Sequence, residues 1–204
     1  MKKFDVVLIL GFLGAVLFSD FSGVNRTLES IKSDVLRMHI LANSDSEEDQ
    51  ALKLKVRDRL LECSEDIFGG ADSLEEMKKK AGTKLDKINS IVGEVIHENG
   101  YNYSSEAKLV NMDFDTREYG EITMPAGKYD ALRITIGEAE GHNWWCVMYP
   151  PLCIPAAENV EGDTDTAEDY FKADQVDMME HPEDYEIRFK CLDVFKKIKN
   201  KLKF

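Results

Sequence analysis

The stretch Val35 to Asp58, VLRMHILANSDSEEDQALKLKVRD, constrains the fold more than any other part of the chain. Val35, Arg37, His39 and Leu41 alternate with Leu36, Met38, Ile40 and Ala42. That period of two, with one face nearly all apolar, predicts a half-buried strand. Asn43, Ser44, Asp45 and Ser46 follow, residues whose side chains bond their own local backbone and so favour a turn. Ser46 with Asp49 three residues on is an acidic form of the capping box, and Asp45, Glu47, Glu48 and Asp49 place negative charge at the positive end of a helix dipole. The helix that starts here runs to about Cys63, with Leu52, Val56 and Leu60 along one side. A strand, a polar turn and a charged helix therefore gather His39, Asn43, Asp45, Asp49 and Gln50 at one junction.

The rest of the chain is read around that unit. Lys2 and Lys3 precede an apolar run from Val6 to Phe18, the pattern of a secretion signal, shorter than the ~20 residues of a membrane span. Residues 1–22 are therefore expected to be a signal peptide or membrane anchor, with membrane contact through residues 4–21 if uncleaved. Residues 23–34 form a polar stalk or one weak helix, and residues 35–204 a single α+β domain. Asp72 or Ser73, with Glu76, opens a second helix whose apolar stripe runs from Leu74 to Val95, with Asn99-Gly100 as its stop. The middle then switches to period two: Val110, Met112 and Phe114; Ile122 and Met124; Leu132, Ile134 and Ile136; and the run Trp144 to Tyr149. Short loops between these strands predict an antiparallel meander. A last strand over Glu186–Lys190 and a basic amphipathic helix over Leu192–Leu202 close the chain. The fold class expected is α+β, two long helices and a C-terminal helix packed on an antiparallel sheet, with the N-terminal signal or anchor segment ahead of it.

Charge narrows the partners. The net charge is −13, which argues against nucleic acid, since that needs a basic footprint. Much of the acid lies between Ala156 and Asp184, where eleven carboxylates face one lysine, and the stretch reads as a solvated acidic loop over 156–184. With 43% hydrophobic residues the chain has enough core to fold without metal or disulfide.

Chemistry-bearing residues are few. The four histidines, His39, His97, His142 and His181, are scattered and no C-x-x-C occurs, so no metal site or cofactor is expected. Cys146 and Cys153 flank a Pro150-Pro151 corner. If that corner reverses the chain they could form a disulfide; otherwise both are small buried thiols. Catalysis by His39 with Asp45, or by Cys146, is the hydrolase alternative. Cys146 sits in an apolar strand and not at an activating helix start, so a non-enzymatic role is preferred. Trp144 and Trp145 are adjacent and must point to opposite sheet faces: one is core, the other meets solvent or a partner, unless both faces are covered.

HILANSDSEEDQALKLKVRD (39–58), PAGKYDALRITIGEAEGHNWWCVMYPPLC (125–153) and YEIRFKCLDVFKKIK (185–199) together resemble, in order, the motifs of the stage II sporulation protein R family. The resemblance implies an exported signalling protein of endospore formation. Such a protein passes from the forespore to the space between the two membranes. There it is required for activation of a membrane-embedded protease of the mother cell that processes the sigma-E precursor. By the same resemblance His39, Asn43, Asp45, Asp49, Gln50, Trp144 and Trp145 become candidate partner-binding residues. A structural envelope protein without a signalling partner is the remaining alternative. Nothing functional is carried onto the acidic stretch.

Overall fold

The computed structural model describes residues 22–71, 73–120, 122–150 and 167–185. In chain order the elements are α1 (22–33), β1 (Leu36–Leu41), α2 (Glu47–Glu62), α3 (Ser64–Phe68), α4 (Leu74–Thr83) and α5 (Leu85–Glu98). Then come β2 (Ser105–Phe114), β3 (Arg117–Tyr119), β4 (Ile122–Met124), β5 (Gly127–Ile136), β6 (Asn143–Tyr149), α6 (Ala167–Tyr170) and α7 (Ala173–Glu180). The chain divides into two compact units: Ser33–Phe114 with Ala126–Asp165, and Met1–Lys32 with Asp115–Pro125 and Thr166–Phe204.

The larger unit is a mixed sheet with helices on one face. Its strand order is β2-β5-β1-β6. β1 runs parallel to β5 and antiparallel to β6, and β2 is antiparallel to β5. The fold is therefore α+β, but the sheet is not the antiparallel meander that the short connections predict. β1, made first, inserts between β5 and β6. One intervening strand puts β5 and β6 roughly 10 Å apart. The 137–142 connection is long enough to step over β1's end, where a two-residue hairpin would not be.

The helical face of the sheet is fixed by specific contacts. Lys78 of α4 pairs with Asp130 of β5 at 2.8 Å, and the Arg57 guanidinium of α2 lies 5.3 Å from the centre of the Trp144 ring. Asp130 and Trp144 share the side of the sheet that carries Leu36, Met38 and Ile40, in register with Leu132, Ile134 and Cys146. All of these aliphatic residues and Cys146 are buried, as are the helical stripes Leu52–Val56–Leu60 and Ile88–Val92–Val95. α2 begins as the sequence dictates: Asp49 N–H donates to the Ser46 hydroxyl at 3.2 Å.

The second helix differs from expectation. It is two helices, with Lys84 between them at φ −113° and ψ 16°. Gly82 and Thr83 are poor helix formers, and the Thr83 hydroxyl donates back to the Lys80 carbonyl at 3.1 Å, a bond that bends helices. β1 also differs. Arg37 and His39 are buried, 0% and 3% exposed, so the strand is covered on both faces instead of half-buried. Among the described residues, Phe114 of β2, Tyr129 of β5 and Trp145 of β6 pack against these two side chains.

In the smaller unit, α1 buries Val24, Leu28 and Ile31, spaced four and three residues apart. Thr27 donates to Asp174 at 2.7 Å, and Gln175 donates to Ser30 at 3.0 Å, which ties α1 to α7. β3 and β4 form a two-stranded antiparallel ribbon. α6 and α7 fall inside the stretch read as a solvated loop. Phe171, Val176 and Met179 are buried there, and the eleven surrounding acids hide their spacing in the sequence. The apolar run 6–18, Cys153, the Glu186–Lys190 strand and the Leu192–Leu202 helix lie outside the described residues. Among the described residues no helix is long and apolar enough to cross a membrane.

Ile40 is fully buried at the centre of the sheet, whereas Leu54 on α2 is 38% exposed. Ile40→Ala is expected to destabilise by about 2–5 kcal/mol through the cavity it leaves. Leu54→Ala is expected to stay within about 0.5 kcal/mol of the parent. Urea denaturation midpoints measure both, and equal effects would contradict this layering.

Candidate functional site

The polar turn after β1 is bolted to the β5–β6 connection. The Asn43 side chain works in two directions: its Nδ2 donates to the Asp49 carboxylate at 2.8 Å, and its Oδ1 accepts from Glu138 N–H at 3.0 Å. The same Asp49 oxygen accepts from the Ser44 hydroxyl at 2.6 Å. Burial alone would raise the Asp49 pKa, but bonds from Ser44, Asn43 and the Tyr103 hydroxyl outweigh it and hold the carboxyl below its ordinary value. Gln50 donates to the Ser44 carbonyl at 2.9 Å.

Backbone accounting shows how tightly the connection is held. The amide of Gly137 donates to the Ser104 carbonyl, Glu138 to Asn43 Oδ1 and Ala139 to the Ile136 carbonyl. Glu140 donates to the Asn43 carbonyl, Gly141 to the Ala42 carbonyl and His142 to the Asp45 carboxylate. Every amide from 137 to 142 is thus spoken for, three of them by Ala42 and Asn43. The His142 ring Nδ1 also meets the Asp45 carboxylate at 2.5 Å, and this imidazole together with its backbone amide lowers the Asp45 pKa. Lys53, almost wholly buried, caps the arrangement by donating to Gln50 Oε1 at 2.6 Å and the His142 carbonyl at 2.9 Å. Its burial, with Arg57 nearby, depresses its pKa despite the opposing charge of Asp45.

The other face of the sheet holds the second half of the site. The Arg37 guanidinium lies 4.1 Å from the centroid of the Phe114 ring and 4.9 Å from that of Tyr129. His39 stacks on Trp145 with centroids 4.0 Å apart and planes within 4°. Phe114 meets both rings edge-on. Such cation–π and stacked contacts are what let a cation and an imidazole sit in a strand interior. Burial pushes the His39 pKa down from 6.5 to about 4. Asn143 opposes that shift, while Arg133 and Arg37 add to it. Asn143 is near enough to favour the protonated ring, yet neither ring nitrogen has a hydrogen bond of proper geometry, so desolvation dominates.

The candidate residues therefore separate into two groups. Asn43, Asp49 and Gln50 are internal ties, half-buried or buried and consumed by intramolecular bonds. Asp45 is exposed, beside exposed His142. His39 and Trp145 form a stack on one sheet face, and Trp144 lies beneath Arg57 on the other. Both tryptophans are half-buried, so the sharp core-versus-surface division expected of them is not observed. Cys146 is buried and disulfide-bonded; Cys153, its suggested partner, lies outside the described residues. No convergent group of three His, Cys, Asp or Glu side chains that could hold a metal ion occurs among the described residues. Sequence reading missed Lys53, Tyr103 and Arg37. The available signal was the two glycines at 137 and 141, which mark a turn that another segment approaches closely.

Two outcomes follow. A Cβ at Gly137 (φ +58°) would fall 2.1 Å from Asn43 Oδ1, and one at Gly141 2.1 Å from the Ser44 carbonyl oxygen. Gly137→Ala and Gly141→Ala should each destabilise by about 2–3 kcal/mol or more. Gly93→Ala, in open space on α5, should instead stabilise by about 0.5–1 kcal/mol. Thermal melts of the three variants would show opposite signs; a uniform sign would refute the close approach. The second outcome concerns pH. An unfolded His39 takes up a proton near 6.5 while the folded one resists until about 4. Its contribution is full above 6.5 and is lost as pH falls from 6.5 to 4, by about 3 kcal/mol in all. Asp45 and Asp49 have lowered pKa values, so their contributions disappear only below the ordinary carboxylate value of 3.8, outside that window. Denaturation at pH 7.5 and 4.5 should show the loss in the parent and a much smaller one in His39→Phe.

Comparison with known proteins adds the family. A family model described as Stage II sporulation protein R (spore_II_R) matches residues 32–159. A relative named Stage II sporulation protein R, from Bacillus subtilis (strain 168), is 38% identical over 131 residues. That alignment covers 64% of this chain and 58% of the relative, less than two thirds of its length. No solved structure matches.

Proposed function

The chain belongs to the Stage II sporulation protein R family, and on that premise we propose that it is an exported signal of endospore formation. It acts from the space between forespore and mother cell, where it activates the membrane-embedded mother-cell protease that processes the sigma-E precursor. Its role is that of a ligand and not a catalyst. Family membership supports the sporulation role; the signalling step and its partner are this proposal.

One observation carries the reading beyond the family name. The two family motifs meet at one rigid corner, where the turn after β1 holds every amide of the β5–β6 connection that it can reach. The exposed His142–Asp45 pair crowns that corner. A fixed, solvent-facing corner suits recognition, because little is lost in ordering it on binding. The alternative, hydrolysis, finds less support. His39 is buried and stacked, and among the described residues neither of its ring nitrogens has an acidic hydrogen-bond partner. Cys146 is held in a disulfide and offers no thiolate. The His142–Asp45 pair has an acid and a base, but no Ser, Thr or Cys hydroxyl or thiol donates to its imidazole among the described residues.

The test is reconstitution. The full chain is co-expressed with the mother-cell protease and the sigma-E precursor, and precursor cleavage is followed. Cleavage is expected only when all three are present. It should disappear when Leu8, Leu10 and Leu13 are replaced by Asp, which removes the basic-then-apolar export signal. Cleavage without this chain, or turnover of a peptide substrate by the purified chain alone, would refute the reading.

A further inference from the structure

The sheet register places four side chains in one transverse row on the face opposite the helices. Lys108 of β2 is opposite Arg133 of β5, Arg133 is opposite His39 of β1, and His39 is opposite Trp145 of β6. Lys108 and Arg133 are exposed, Trp145 is half-buried, and Arg37 lies two residues before His39 on the same face. A chain with a net charge of −13 thus sets three cationic side chains together on one sheet face. Lys108 pairs with Glu106 at 2.7 Å, both side chains more than half exposed. Arg133 has no ion-pair partner among the described residues. Like charges directly opposite across a sheet are destabilising, and here only Lys108 of the opposed pair has an ion-pair partner among the described residues. The His39 ring is 97% buried beside it, with both nitrogens lacking hydrogen-bond partners.

We propose that the exposed Lys108–Arg133 end of this row is a docking strip for a short acidic polypeptide segment of the partner. The proposal rests on the signalling reading in one respect, that the segment belongs to the protein this chain activates. The chemistry selects the class of occupant. An exposed guanidinium takes a carboxylate bidentately, and the neighbouring ammonium takes a second. Half-buried Val110 and Met112, on the same face of β2 as Lys108, offer an apolar flank beside the cations. A segment alternating acidic and aliphatic residues matches that arrangement, since an extended chain shows one face at a time. A long polyanion does not, because the remaining negative charge of the chain repels it.

The probe is a fluorescein-labelled peptide, acetyl-Glu-Leu-Glu-Leu-Glu-Leu-amide, titrated with the full-length chain and followed by anisotropy. The parent should bind it saturably and more weakly as salt rises. Arg133→Glu with Lys108→Glu should weaken binding at least about tenfold, and Arg133→Lys should keep most of it. Arg57→Glu, a charge reversal on the helical face, should leave it near the parent value. Thermal melts confirm that each variant is folded. No saturable binding by the parent, or equal weakening by Arg57→Glu, overturns the strip. So does binding that appears only after Glu158, Glu161, Asp163 and Asp165 are neutralised, because the occupant would then be this chain's own acidic stretch. The cleavage assay separates the two proposals. If the parent triggers cleavage and the folded double variant does so at the same dose, the strip is wrong and the signalling role stands. If the parent triggers nothing, the signalling role fails, and the anisotropy result still decides the strip.

Discussion

The Asn43 side chain is the interaction on which this architecture rests. Its amide nitrogen fixes the Asp49 carboxylate at the start of α2, and its amide oxygen fixes the Glu138 amide at the start of the β5–β6 connection. An amide side chain is suited to this, since it offers donor and acceptor from one planar group. Aspartate would present two acceptors, one of them to the Asp49 carboxylate. The mixed sheet makes such a tie necessary. Because β1 lies between β5 and β6, the connection has to arch over β1's end, and arching exposes a run of amides with no strand to pair them. The turn after β1 supplies acceptors for that run, and Gly137 and Gly141 leave room for the two segments to touch.

How much of this was legible in the sequence depends on the range of the interaction. β1, the Ser46 cap, α2 and the apolar stripe of α5 are local patterns, and each was readable within one or two turns of chain. The strand order was not. Parallel pairing of β1 with β5 joins residues about ninety positions apart, and hydrophobic alternation is the same whichever neighbour a strand chooses. The burial of Arg37 and His39 was hidden for a related reason. Alternating polarity normally marks a wet face, and the arrival of Phe114, Tyr129 and Trp145 from other strands changes what those residues meet. In the acidic stretch the error ran the other way. Charge density read as loop, while Val176 and Met179 sat three residues apart on a buried helical face beneath it.

The candidate site shows the same division. Asn43, Asp49 and Gln50 lie together at the turn after β1 and tie it internally, whereas His39 stacks on Trp145 on the other sheet face. Asn43, Asp49 and Gln50 have their polar atoms directed inward, so a variant at any of them changes the corner before it changes a contact. Loss of signalling in such a variant would report on folding. Contact residues are better sought where polar atoms remain outward on a rigid support. The His142–Asp45 pair on the corner and the exposed Arg133 side chain on β5 meet that description.

Those two places are also mechanically linked. Arg133 and His39 are register partners, and β1 leads from His39 directly into Asn43. The β5 strand that carries Arg133 is followed by Gly137, the residue against which the Asn43 amide packs. A displacement of the β5–β6 connection would therefore shift β5 against β1, and with it the spacing of Arg133 from the His39–Trp145 stack. Close packing makes interiors of this kind stiff, so small displacements are transmitted instead of absorbed. The internal ties thus fix how far apart the exposed corner and the cationic row are held.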